Sequence, residues 1–164
     1  MCSTENIIDI SRVVDGIERV LDYKKGVYKL KEGTYIGDIY IWKDGSWYYG
    51  SSKNGYPDGK GILLDRVSPT VFSKYIGEFR NGRSSGYGIL RNCDGEFYRG
   101  NWMNGMRHGY GNTYFVDGTV ETGYYNNGYQ DGWFQYTYPK TRRGVAGITC
   151  LFNMGNIVKY GELL

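Results

Sequence analysis

Few residues in this 164-residue chain could carry covalent chemistry. The only histidine is His108, and the cysteines are Cys2, Cys93 and Cys150. A Cys93–His108 nucleophile pair would need hydrogen-bond reach. Cys93 precedes the turn Asp94-Gly95, and His108 falls in a glycine-bracketed turn over residues 105–109, at the other end of the intervening strand. That strand would hold the two roughly 20 Å apart at about 3.3 Å per residue. The pair is rejected, and His108 reads as a turn residue packing on an aromatic ring. Gly86-Tyr87-Gly88 invites a phosphate-loop reading, but that motif needs a following helix N-terminus and a Gly-Lys-Ser/Thr run. Here a strand follows and the run is missing. Asp44, Asp94 and Asp117 recur at turns, where turn chemistry explains them better than acid–base catalysis. Three cysteines without paired spacing provide neither a disulfide framework nor a zinc site. No catalytic residue, metal or cofactor is expected, and a reducing, cytoplasmic setting is.

What the chain has in excess is glycine, 26 residues, and tyrosine, 18. Only three prolines and no three-residue period exclude collagen. A net charge of +3 with 17% aromatic residues argues against disorder. No apolar run approaches the ~18 residues of a membrane span, and the first residues do not read as a signal peptide. Cys2 beside the initiator is a weak lipidation signal, and the glycine that myristoylation requires is missing. Residues 35–138 hold ten Lys/Arg and ten Asp/Glu, so the excess charge falls in residues 139–164 (Lys140, Arg142, Arg143 and Lys159 against Glu162). A neutral body is not the basic stripe that a nucleic-acid backbone demands.

The glycines are periodic. Gly77, Gly100 and Gly123 are 23 apart, as are Gly82, Gly105 and Gly128, and Gly86, Gly109 and Gly132. Gly88 and Gly111 continue the pattern until Phe134 stands in the next place, and Glu121 replaces the tyrosine that leads the earlier copies, Tyr75 and Tyr98. An earlier copy starting at Tyr48 is offset by 27, with a loop extension fitting within residues 64–74. Units therefore read as 75–97, 98–120 and 121–138, with degenerate ones at 33–47 and 48–74. Within a unit, Tyr98, Gly100 and Trp102 alternate onto one face, and Asp117-Gly118 closes a β-prone run. Glycine in a strand marks close approach of another group, so Gly77, Gly100 and Gly123 are expected to make room for rings of adjacent strands. No lone hairpin buries such a face, whereas stacked ones do.

These residues resemble the MORN repeat family, whose pattern is Tyr-x-Gly-x-aromatic-x-x-Gly, then Gly-x-Gly, then Asp-Gly. Tyr98-x-Gly100-x-Trp102-x-x-Gly105 followed by Gly109-x-Gly111 fits nearly position for position. The resemblance implies a mainly β fold, an elongated single-layer antiparallel sheet of tandem hairpins. It also implies protein interaction or self-assembly, with membrane association as the role behind the family's full name, membrane occupation and recognition nexus.

Two aromatic columns follow from the period: Phe79, Trp102, Tyr125 and Tyr87, Tyr110, Trp133. Each reads either as core or as a groove that grips an apolar helix or extended peptide. The first column is weighted towards core. For the second the readings stand level, because flanking glycines cannot cover its rings. At the N-terminus, Ile7, Ile10, Val14, Ile17 and Leu21 recur at helical spacing, predicting an amphipathic helix over residues 1–26 that caps the array. Self-association through that stripe and binding to a membrane surface are the alternatives, the last opposed by its acidic polar face. Residues 27–138 form the array and 139–164 a closing hairpin whose sequence departs from the repeat. The expected function is a non-catalytic scaffold that binds a protein partner through an aromatic trough. Homo-oligomerisation and lipid association stand as alternatives, the latter opposed by the neutral array.

Overall fold

Local turn chemistry builds the hairpins, and the hairpins build the sheet. The computed structural model describes residues 30, 39–139 and 146–164, and the backbone of 34–36. The helix expected over residues 1–26 and the basic residues Lys140, Arg142 and Arg143 lie outside the described residues.

Thirteen strands follow one another: β1 (Thr34–Ile36), β2 (Ile39–Ile41), β3 (Trp47–Lys53), β4 (Tyr56–Ser68), β5 (Val71–Arg80), β6 (Arg83–Arg91), β7 (Phe97–Met103), β8 (Met106–Tyr114), β9 (Val120–Asn126), β10 (Tyr129–Gln130), β11 (Gly132–Thr137), β12 (Gly147–Asn153) and β13 (Asn156–Leu163). They form one open antiparallel sheet in chain order, with β10 and β11 both beside β9. The expected single-sheet fold is borne out, and no helix occurs among the described residues.

At one end of the sheet the hairpins close on Asn54-Gly55, Asn81-Gly82, Asn104-Gly105, Asn127-Gly128 and Met154-Gly155. Both residues of each pair have positive φ, 52° and 82° at Asn104-Gly105. This is the two-residue turn whose twist matches the strands, and Asn-Gly tolerates it best. Neighbouring turns are stitched together. The Gly105 N–H donates to the Ser84 carbonyl at 2.9 Å, Gly128 to Arg107 at 2.8 Å and Gly155 to Gln130 at 2.8 Å. At the opposite end the aspartates close the turns. Asp44, Asp94 and Asp117 each accept the N–H two residues on, at 2.7, 3.1 and 2.9 Å.

The Tyr-x-Gly motif has a direct physical meaning. Tyr98 lies flat over Gly100 and Gly111, which face each other across β7 and β8. A Cβ on either glycine would overlap the ring. The phenol then donates to the Asn101 carbonyl at 3.0 Å, where a bulge interrupts the ladder. Tyr48 and Tyr75 repeat this over Gly50/Gly61 and Gly77/Gly88, donating to Ser51 and Glu78. The ring over Gly77 or Gly100 therefore comes from two residues earlier on the same strand, not from an adjacent strand as the spacing suggested. At Gly123 the ring does come from the adjacent strand: it is Phe134, whose neighbour Gln135 pairs with Thr122 of β9.

These rings join into one edge-to-face row, Tyr48–Phe79–Tyr75–Trp102–Tyr98–Tyr125–Phe134–Phe152. Successive centroids are 5.0–5.4 Å apart and interplanar angles are 74–89°. Each such pair contributes about 0.5–1.5 kcal/mol beyond area burial. Every ring in the row is buried. The row ends on β12, so the hairpin of β12 and β13 keeps the structural repeat even where its sequence departs from it. A smaller cluster of Ile41, Trp47 and Leu64 packs on the other face.

Candidate functional site

The period-two alternation of the strands sorts every candidate residue onto one of two faces. Phe79, Trp102 and Tyr125 point to the face of the aromatic row, here called the inner face, and are buried. Tyr87, Tyr110 and Trp133 point to the outer face and are 50%, 69% and 52% exposed. The two columns therefore lie on opposite faces of the sheet. Tyr87 sits opposite Asn101, whereas its neighbour Gly86 sits opposite Trp102, and that one-residue difference reverses the face.

A groove of about 700 Å³ runs over the inner face, bordered by Tyr98, Trp102, Arg107, Thr113, Glu121 and Gln130. Its centre is a buried polar cluster. Tyr125 donates its phenol proton to the Glu121 carboxylate and receives the Thr113 hydroxyl proton, the latter at 2.8 Å. Gln130 Nε2 donates to the other Glu121 oxygen at 2.6 Å and to the Tyr136 phenol at 2.8 Å. The Arg107 guanidinium lies 4.6 Å above the Tyr125 ring and 5.6 Å from that of Tyr98. Burial pushes the Tyr98 phenol up to about 12. Burial, and then the charge of Glu121, pushes Tyr125 up as well, and the Tyr136 phenol rises by burial and its proximity to Glu121. These phenols hold their protons, so the cluster is a structural network rather than an acid–base pair.

The chemistry-bearing residues stay apart. Cys93 belongs to the turn between β6 and β7, whereas His108 lies in β8. The expected turn over residues 105–109 is therefore corrected. The chain reverses within Asn104-Gly105, and the positive φ of Gly109 serves strand β8 instead. His108 Nδ1 accepts the Asn127 N–H of the next turn at 3.3 Å, and the ring lies 6.1 Å from Tyr124. Asp58 accepts the Asn81 N–H in the same way at 3.0 Å, so this position locks one unit to the next. Cys150 is buried, which raises its thiol and keeps it from acting as a thiolate. Among the described residues no cluster of His, Cys, Asp or Glu could hold a metal ion, and no helix is long and apolar enough to cross a membrane.

The outer face carries the exposed aromatics on polar ground. Tyr110 meets Tyr124 edge-to-face at 5.6 Å, Asn101 Nδ2 donates to the Tyr110 carbonyl at 3.2 Å, and Thr122 donates to Asn112 at 2.7 Å. A second hollow, about 730 Å³, opens between Tyr110 and Trp133 over Thr122, Gln135 and Thr149. Three basic residues here escaped the reading of the sequence: Lys74, Arg91 and Arg99 share this face with Tyr87 through the pairing of β5, β6 and β7. Nothing in their spacing along the chain marks them, because only strand register brings them together.

The MORN repeat family model matches residues 48–66, 75–97 and 98–120. The matches stop where Glu121 replaces the leading tyrosine. No curated protein matches the chain.

Proposed function

This chain is a MORN-repeat protein, and from that premise we propose that it is a non-catalytic scaffold that holds a protein segment on the outer face of its sheet. The observation that carries this reading is the exposure of Tyr87, Tyr110 and Trp133, half or more of each ring open in three successive units. Large apolar rings repeated on one face mark an interaction surface more often than scattered ones do. They stand two strands apart, roughly 10 Å, on a sheet whose continuous row of buried rings lies on the opposite face. Aromatic side chains of this kind are favoured anchors in protein interfaces. Two thiols, Cys93 and Cys150, are free, in keeping with a cytoplasmic setting. The test is affinity capture from the native cell with the wild-type chain and with the Tyr110→Ala/Trp133→Ala variant. Proteins retained by the first and lost by the second, at an unchanged melting temperature, support the reading. Equal retention by both contradicts it.

A second reading, self-assembly, has its own observation. Strand β13 is at the edge of the sheet, with Val158, Tyr160 and Leu163 more than 60% exposed. Such an edge is a template for pairing with another copy. Sedimentation of the wild type against Val158→Lys tests it, a concentration-dependent dimer lost in the variant being the supporting result.

A further inference from the structure

The array is neutral along the chain, but the fold distributes its charge unevenly. Asp44, Asp94 and Asp117 are occupied at turns, and Glu121 is buried on the inner face. On the outer face Lys74 lies directly opposite Arg91, and Arg99 lies opposite Ile89 on the adjoining strand. Like charges directly opposite each other cost stability. No carboxylate pairs with Lys74, Arg91 or Arg99 among the described residues. Glu78, four residues along β5 from Lys74, turns its carboxylate over Gly86. Arg99 Nε donates to the Tyr87 phenol at 2.8 Å, tying the basic patch to the first ring of the exposed column. From Tyr87 the column runs through Tyr110 to Trp133, four strand spacings or roughly 19 Å.

We propose that the outer face takes an acidic protein segment laid across the strands. Its carboxylates meet Lys74, Arg91 and Arg99, and its apolar side chains lie over Tyr87, Tyr110 and Trp133. This rests on the scaffold reading above and names the partner's chemistry. Charge complementarity carries it, because carboxylates supply what the patch lacks and guanidinium groups receive them with two parallel hydrogen bonds. The ground between the farther rings is Asn112, Thr122 and Gln135, and beyond it the hollow meets one charge of each sign, Lys159 and Glu162, so that this end carries no net charge. An anionic membrane would call for cations spread along the face, whereas a segment acidic at one end and apolar at the other fits this division.

The experiment is selection of a random peptide library on the immobilised full chain, followed by anisotropy measurements with the enriched peptides. Enriched peptides are expected to join an Asp/Glu run to aromatic or aliphatic residues. Binding should weaken about ten-fold in Lys74→Glu/Arg91→Glu and weaken with added salt, with Lys74→Gln/Arg91→Gln falling between. Both variants alter surface positions, and their melting curves confirm the fold. Neutral or basic peptides that still require Tyr110 would overturn the acidic partner and leave the scaffold standing. No enrichment, or enrichment indifferent to both Tyr110→Ala and the charge variants, would overturn both. Binding to phosphatidylserine vesicles without acidic peptides would assign the patch to lipid and overturn the proposal.

Discussion

Units 98–120 and 121–138 solve one packing problem in two ways. In the first, a tyrosine on the leading strand covers a pair of glycines, one on each strand. In the second, glutamate takes the tyrosine's place and phenylalanine takes the second glycine's place, so that Phe134 covers Gly123 from across the hairpin. The ring is retained and its strand of origin changes. The edge-to-face row passes through both units without a break. The vacated tyrosine position then holds a buried carboxylate, satisfied by Tyr125 and Gln130. What the repeat requires is one ring over one gap. The tyrosine is the usual means, and the family match ends where that means changes.

The largest effect on this comparison is expected from alkali, which acts on several phenols at once. Tyr98 is raised from 10.0 to about 12, and Tyr75, Tyr125 and Tyr136 are also raised, in each case first by burial. An acid whose pKa is higher folded than unfolded leaves stability constant below the unfolded value and erodes it above. Urea midpoints should therefore hold up to about pH 10 and fall steeply from there through about pH 12. A midpoint flat across that window would show that these rings are not shielded. Next in size, Tyr98→Ala should cost about 3–5 kcal/mol, measured by denaturant unfolding. The sharpest test of equivalence is the pair Glu121→Tyr and Phe134→Gly. Each alone should destabilise, the first by overlap with Phe134 and the second by uncovering Gly123. Together they restore the regular unit, with a favourable coupling of about 2 kcal/mol in a double-mutant cycle. Additive losses would mean that the two units are not alternatives. Tyr125→Phe removes one donor from Glu121 and should cost about 1–3 kcal/mol, and Trp102→Phe, which takes the indole N–H from the buried Gly88 carbonyl, should add a hydrogen-bond loss of about 1 kcal/mol to its lost volume. The smallest change is a gain. Met154 holds a φ of 47° where the other turns have asparagine, so Met154→Asn should raise stability by about 0.5–1 kcal/mol.

Much of this was legible in the sequence. The 23-residue step of Gly77, Gly100 and Gly123 announces tandem hairpins in one sheet, because only stacked units need such columns. The exposure of Tyr110 and its neighbours on glycine-flanked ground was open to inference, since nothing beside the rings could cover them. What stayed hidden depends on register. Glu121 and Phe134 each stand out as a departure, but their exchange is visible only once Phe134 is known to cover Gly123. The register that sets Gly86, and not Tyr87, opposite Trp102 likewise separates the two aromatic columns, and the opposition of Lys74 and Arg91 exists only in strand pairing. His108 was misplaced because Gly105 and Gly109 look like two ends of one turn. In the fold Gly105 completes the turn with Asn104 and Gly109 bends a strand.

The division of labour between the two faces is tested most directly by melting two matched series of alanine variants, Phe79, Trp102 and Tyr125 against Tyr87, Tyr110 and Trp133. The inner series should lose about 10 °C or more at each position, and the outer series should stay within about 3 °C of the wild type. Equal losses in the two series would contradict the account, because the exposed column would then be part of what holds the sheet together.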